Sequence, residues 1–388
     1  MKTEHIQQAQ LNGRQRLEVL PGDIITDVAS ESAARLGIAL VEGPIEKPPV
    51  NRTGGATALR RALYRRSPKW VAPARKTAPR ARRLEKLAVI GAGGVGSNIA
   101  HLASLNDMAK SIALIDIVPG LAESTALDLS HAGGISRAPV RIGGSTDLAS
   151  VADAEVVVMT AGRPRTPGMS RSDLIEINRQ VIRSAAEAIQ SHAPNAIVIV
   201  VTNPLDEMTA EMLLATGFPR ERVIGMAGTL DSSRFRNALA KAAEVDPSDV
   251  EAITLGSHGD EMTPIVSHAR IKGRPLDVFL SQETVAGCTR DAITGGGQVV
   301  SLRQTGSATI APAHATLELI DHIRGARTGP VPASVMLHGE FGIEDVVLGV
   351  PCQLGMSGLI DVDEIRLSPE ELQSLRQAAE SIRQRMSG

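Results

Sequence analysis

Lys86-Leu-Ala-Val-Ile-Gly-Ala-Gly-Gly-Val-Gly96 is the stretch whose reading decides the fold. Its apolar run, Leu87 to Ile90, reads as a buried strand, and Ser97 to Leu105 takes on helical character. Between them Gly91, Gly93 and Gly96 stand in G-x-G-x-x-G spacing, with Ala92, Gly94 and Val95 completing the loop. In a strand–turn–helix setting these glycines have separate jobs. The first allows a tight turn, the second lets backbone approach a pyrophosphate, and the third lets helix pack on strand. The helix N-terminus adds unpaired N–H groups and a positive dipole end. A second apolar run, Ile112 to Ile115, ends at Asp116, placed to accept from a ribose diol. A bare glycine pattern means little in a chain with 36 glycines. With both strands and the acid in place, it predicts a dinucleotide site.

Outward from that stretch, the 388 residues suffice for two or three domains with ample core. A hydrophobic share of 43% and a charged share of 22% are those of a globular protein. No apolar run approaches the roughly 18 residues a membrane-spanning helix needs. Cys288 and Cys352 are too few for a disulfide framework and form no C-x-x-C pair, so a reducing compartment such as the bacterial cytoplasm is expected. The formal charge of −2 hides an asymmetry. Residues 51–85 hold eleven Lys or Arg against one acid, Glu85, a net of +10, which leaves −12 on the remainder. An acidic body carries a basic strap.

Four regions are expected. Residues 1–47 form an N-terminal extension in which Ile25, Val28, Ala29, Ser32, Ala33 and Leu36 fall at amphipathic helical spacing. Thr26 or Asp27 can cap this helix, and Gly37 can end it. Residues 48–85 are a basic linker rich in Pro and Arg, with room for a turn or two of helix around Leu59, Ala62 and Leu63. Pro21-Gly-Asp-Ile-Ile-Thr-Asp-Val-Ala followed by Leu36-Gly-Ile resembles short docking segments on enzymes associated with bacterial microcompartments. The plainer reading, a disordered or loosely helical extension, stands first, with docking as its alternative; attraction of nucleic acid by the arginines is a third, for which no RNA-binding motif is present. From 86 onward strands and helices alternate, which calls for a Rossmann-type doubly wound parallel sheet over 86–226. Over 227–388 the pattern changes to an α+β substrate domain.

Four further stretches carry a resemblance. They are Thr160-Ala-Gly-Arg-Pro-Arg165-Thr-Pro-Gly-Met-Ser-Arg171, Val201-Thr-Asn203-Pro, Leu230-Asp231-Ser-Ser-Arg234-Phe-Arg and Gly256-Ser-His258-Gly-Asp-Glu-Met-Thr-Pro. In this order they resemble the lactate/malate dehydrogenase family, closely its malate branch, over residues 86–388 and not over 1–85.

The residue types suit the chemistry that the resemblance implies, hydride exchange between a 2-hydroxy acid and NAD. Such a reaction needs a base on the hydroxyl, and imidazole at His258 takes and returns a proton near neutral pH. The resemblance pairs His258 with Asp231, and Arg234, three residues on and so on the same helical face, is positioned to grip the C1 carboxylate. It makes 162–171 a mobile lid in which Arg171 polarises the substrate carbonyl. Arg165 would contact the distal substituent, where a cation favours the second carboxylate of malate or oxaloacetate and disfavours a methyl group. Asn203 falls near the substrate carbonyl and nicotinamide, Val201 and Thr202 offer backbone to the same ring and ribose, and Asn178 matches a cofactor-side asparagine. Ala308 falls where the family lines the substrate pocket. Asp116 argues for NAD over NADP, since a carboxylate repels a 2′-phosphate. No cluster of metal ligands is expected.

The reading is thus an NAD-dependent malate dehydrogenase interconverting (S)-malate and oxaloacetate, with a homodimer or homotetramer implied by the resemblance. An L-lactate or other 2-hydroxy-acid dehydrogenase recycling NAD, and a non-catalytic or nucleic-acid-tethered scaffold, are the alternatives. Gly295-Gly-Gly-Gln298 departs from the family's usual Gly-Gly-Ala-Glu, and the segment before it looks shortened. Both could alter the pocket wall or a subunit contact.

Overall fold

The computed structural model describes residues 6, 15–19, 25–42, 81–163, 171–304 and 306–387. The chain divides into two compact units, Met1–Lys76 and Thr77–Gly388.

In the first unit, strand β1 (Arg16–Val19), helix α1 (Asp27–Arg35) and strand β2 (Ala39–Glu42) follow one another. The strands are parallel, with Leu17 opposite Leu40. Thr26 caps α1, its hydroxyl accepting from the Ala29 N–H at 3.4 Å. Ala29 and Ala33 pack with Ile6 and Ile38 into a small core. Of the residues at amphipathic spacing, Ala29, Ser32 and Ala33 are buried and Val28 is exposed. The strands were not foreseen, because four residues are too few for alternation to register as a period. The second predicted helix, around Leu59, lies outside the described residues, as does most of the linker.

The second unit is built on a sheet of eleven strands among the described residues. Its parallel half comprises β3 (Leu84–Ile90), β4 (Ala109–Ile115), β5 (Arg141–Ser145), β6 (Val156–Met159), β7 (Ile197–Val200) and β8 (Val223–Gly225), in the spatial order β5-β4-β3-β6-β7-β8. This is the doubly wound Rossmann order, reversing between β3 and β6, where such sheets open a crevice for ligands. Strand β3 starts at Leu84 rather than at Leu87, where the continuous apolar run begins. Leu84 N–H donates to Met108 O at 2.9 Å, Glu85 N–H donates to the Glu155 carboxylate at 2.6 Å, and Arg82 pairs with that carboxylate. Helices α2 (Gly94–Leu105), α3 (Leu121–Ser136), α4 (Arg171–His192) and α5 (Leu205–Thr216) wind between these strands.

Alternation along β3 divides the core. Leu87 and Val89 face a cluster with Ile99 of α2, while Ala88 and Ile90 face one with Ile182 and Ile189 of α4 and Met208 of α5. Each fully buried Leu or Ile contributes about 1.5–3 kcal/mol.

The expected change of pattern occurs after β8. Helix α6 (Gly228–Ala243) follows. Then come the short strands β9 (Val250–Glu251), β10 (Thr254–Gly256), β11 (Met262–Pro264), β12 (Arg270–Ile271) and β13 (Arg274–Pro275). Helices α7 (Gln282–Arg303) and α8 (Ile310–Ile323), strands β14 (Val331–His338), β15 (Glu344–Gly355) and β16 (Gly358–Val362), and helix α9 (Pro369–Ser387) complete the chain. The antiparallel strands do not make a separate sheet. β14 pairs with β8 at Ser334 and Gly225, then β15, β10 and β11 extend the same surface. Strands β9, β12 and β13 form a small sheet of their own.

Candidate active site

The crevice between β3 and β6 is shaped by the glycine loop. Gly91 has φ +102°, and a side chain there would meet Ala161 N and Thr160 Oγ1 at 2.6 Å. At Gly96 a Cβ would stand 1.8 Å from Gly91 O, so the first turn of α2 can cross the loop only as glycine. Gly93 has open space where a Cβ would point, and it directly precedes α2 as an N-cap that makes no side-chain hydrogen bond to the helix's first N–H groups. Asp116, just past β4, accepts from Ala92 N–H at 2.7 Å and from Val118 N–H at 3.0 Å. It therefore braces the glycine loop, a role the spacing did not suggest. Each carboxylate oxygen keeps a second lone pair for a ribose hydroxyl. A turn closed to side chains beside an open helix N-terminus, with an acid at the next strand end, fits a dinucleotide.

Two neighbouring strand ends are tied together from behind. Thr202 hydroxyl donates to Ala161 O at 2.7 Å. Asn178, on α4 and 1% exposed, accepts from Arg163 N–H at 2.7 Å and donates to Asn203 O at 2.7 Å. Asn178, read from the sequence as a cofactor-side residue, is a buried amide whose hydrogen bonds go to two loops. Val201 is buried and Asn203 is exposed.

The reactive groups converge on α6 and the end of β10. Thr229 hydroxyl donates to Pro332 O at 2.7 Å, and Ser232 accepts from Thr254 N–H at 2.8 Å, which docks α6 on both strands. Asp231, in the first turn of α6 where the dipole favours a carboxylate, is 2% exposed. Its Oδ2 lies 2.9 Å from His258 Nδ1, and its Oδ1 accepts from Arg234 at 2.8 Å. Burial works to lower the His258 pKa, but the Asp231 charge and hydrogen bond outweigh it and hold the imidazole above its ordinary range. Arg234 rests on α7, where a Cβ at Gly296 would come within 3.1 Å of its guanidinium. The two departures from the family's sequence, Gly297 and Gln298, are both exposed: a Cβ at Gly297 would meet nothing within 4 Å, and Gln298 donates to Thr294 Oγ1 at 3.3 Å.

Residues that the motifs did not single out surround this array. Asp206 opens α5, 1% exposed, and its Oδ2 accepts from the Ser257 hydroxyl and the His258 N–H, both at 2.9 Å. Ser334 donates to its Oδ1 at 2.8 Å. Burial, with the Glu207 charge beside it, pushes the Asp206 carboxyl up to about 6. Arg385 of α9 donates to Glu207 at 2.6 Å, to Glu261 at 2.8 Å and to Ser257 at 3.4 Å. An acid two residues after Asn203-Pro204 was the only sequence signal for Asp206, and nothing pointed to Arg385.

Arg165 lies outside the described residues. Arg171 is the first residue of α4, its side chain likewise outside them. Ala308 is half-buried between α7 and α8, next to Thr309, whose methyl would meet a Cβ at Gly94 at 2.6 Å. The connection carrying Ala308 therefore reaches the glycine loop.

Comparison with known proteins gives a family. A model of the lactate/malate dehydrogenase NAD binding domain matches residues 85–225, and one of the alpha/beta C-terminal domain of the same family matches residues 228–387. A malate dehydrogenase of Nostoc punctiforme is 43% identical over 306 residues, 79% of this chain and 93% of that protein. The malate dehydrogenase of Trichormus variabilis is 44% identical over 300 residues, 77% and 92% of the two chains. Among solved structures, Cryptosporidium parvum malate dehydrogenase superposes with a TM-score of 0.76 at 36% identity, covering 79% of this chain and 98% of its own. A lactate dehydrogenase of the same organism, solved with lactic acid and nicotinamide adenine dinucleotide, gives 0.76 at 33%, with the same coverage.

Proposed function

Because the chain belongs to the lactate/malate dehydrogenase family, we propose that it is the NAD-dependent enzyme interconverting (S)-malate and oxaloacetate. The observation that carries this reading is the 2.9 Å contact between His258 and a buried Asp231 that also holds Arg234. NAD, when bound, supplies the acceptor or donor of the hydride; this chain's residues do the rest. His258 keeps Nδ1 toward Asp231, which leaves Nε2 to take the hydroxyl proton of malate and to return it to oxaloacetate. Asp231 stabilises the imidazolium so formed. Arg234 spends one donor on Asp231 and keeps others for the C1 carboxylate. Asn203 contributes at the substrate carbonyl, and Ala308 forms part of the pocket wall. Arg171 polarises the carbonyl and Arg165 pairs with the distal carboxylate; the support for these two roles is the family motif 160–171. Gly91 to Gly96 cradle the pyrophosphate, Asp116 binds the adenosine ribose, and Val201 and Thr202 face the nicotinamide ribose.

The finer expectations belong here too. The active species is a homodimer or homotetramer in the bacterial cytoplasm, and residues 1–85 dock it to a shell or scaffold. Support for docking is that the extension carries a capped helix and a core of its own.

Steady-state rates with oxaloacetate and with pyruvate test the substrate. A higher kcat/KM for oxaloacetate is expected, and a preference for pyruvate would make this a lactate dehydrogenase and overturn the role of Arg165.

A further inference from the structure

His258 is gripped on two sides, and only one grip belongs to the pairing described above. Asp231 holds the ring. Asp206 holds the backbone, accepting the His258 N–H at 2.9 Å, and the same oxygen takes the Ser257 hydroxyl at 2.9 Å. Its other oxygen takes the Ser334 hydroxyl of β14 at 2.8 Å. One carboxylate thus ties the end of β10 to the first turn of α5 and to β14, the strand that joins the antiparallel half-sheet to β8.

A purely structural tether would not need a charge here. Burying a carboxylate is costly, and a neutral hydrogen-bonding group would avoid that cost. Asparagine, however, offers one acceptor oxygen, and its N–H₂ can be met only if a serine hydroxyl such as Ser334 turns from donor to acceptor. The three donors are matched by an anion. The other charged groups packed around the loop are already engaged. Arg234 of α6 is on Asp231, and Arg385 of α9 is on Glu207 and Glu261.

We propose that Asp206 is a positioning residue for proton transfer at His258, fixing the base's backbone while its charge favours the imidazolium. The proposal rests on the reading of His258 as the base. It divides the task between two carboxylates. Asp231 sets the tautomer through the ring, and Asp206 sets where the ring stands and adds a second negative charge on the far side of the peptide. The charge balance is consistent, since Asp231 and Asp206 both raise the proton affinity of His258 while Arg234 and burial oppose them.

The test uses the full chain carrying Asp206→Asn, with Ser334→Ala as a milder variant that leaves the carboxylate but removes one donor. The first readout is the titration of His258 by NMR on histidine-labelled protein, its signal identified by its loss in His258→Asn. The second is kcat and its pH profile with oxaloacetate. Asp206→Asn should move the His258 titration to lower pH and cut kcat about a hundred-fold through misplacement of the base, with NADH affinity unchanged. Ser334→Ala should move the titration in the same direction by less. If Asp206→Asn does not fold, Ser334→Ala decides alone. A His258 titration that stays at the wild-type position in the folded variants overturns the proposal, whatever happens to thermal stability. The NMR titration needs no substrate. A wild-type protein that fails to reduce oxaloacetate would therefore defeat the substrate reading and leave this one standing or falling on its own signal.

Discussion

His258 and Asp231 stand 2.9 Å apart, Nδ1 to Oδ2, although 27 residues separate them in the chain. Asp231 is nearly inaccessible, so its charge acts in a medium that screens poorly. Asp231→Asn keeps the shape and removes the charge. It should lower kcat by about 10²–10⁴-fold, the usual worth of a well-set acid–base group, with little change in NADH affinity. Stopped-flow reduction of oxaloacetate checks this.

The same pair should make stability depend on pH. The His258 pKa stands above its ordinary 6.5 in the folded chain, because Asp231 outweighs the burial that opposes it. Such a group stabilises fully below the unfolded pKa, and the contribution fades as pH rises through the folded value. Asp231→Asn should therefore cost more unfolding free energy at about pH 5.5 than at about pH 9. Urea titrations of both proteins at the two values test the sign.

Two glycines of one loop should respond oppositely. Gly96→Ala places a methyl 1.8 Å from Gly91 O, against backbone that cannot yield, and should cost about 1–3 kcal/mol or more through overpacking. Gly93→Ala meets nothing and should leave unfolding unchanged while weakening NADH, because the methyl occupies the approach to the helix N-terminus. Thermal melts and NADH fluorescence titration separate the two effects.

Asp116→Ser should narrow the preference for NAD over NADP, since it removes the carboxylate that repels a 2′-phosphate. Loss of the 2.7 Å bond from Ala92 should also loosen the glycine loop, so kcat/KM with NAD falls while that with NADP holds or rises. The ratio of the two is the measurement.

Asn178→Ala should destabilise by about 1–3 kcal/mol, because Arg163 N–H and Asn203 O lose their partner inside a buried site. Activity should fall with it, as the loop after β6 and the loop after β7 lose their shared anchor. Comparing the melt with kcat/KM for oxaloacetate checks both effects.

Residues close in sequence were the legible ones. Asp231 and Arg234 share a helical face at a spacing of three, and the structure joins them by a 2.8 Å bond. The glycine loop announced itself because its strand, turn and helix are consecutive. Asp206 could have been suspected from its place after Asn203-Pro204, but nothing local says that it reaches Ser334, 128 positions away. Nothing local marks Arg385, yet it donates to Glu207 across 178 positions. The short strands β1 and β2 were missed for a different reason, having too few residues to show a period.

By itself the sequence determined the nucleotide half of this protein: alternating buried strands and helices, the turn that only glycine can make, and the acid at the next strand's end. These follow from hydrogen bonding and side-chain periodicity within some twenty residues, which any local window contains. Only the tertiary structure decided that the later antiparallel strands extend the same sheet, that Asn178 is spent on two loops, and that His258 is held by a second buried carboxylate. Those outcomes depend on which distant groups burial forces together, and a buried charge declares its partners only when the chain has closed around it.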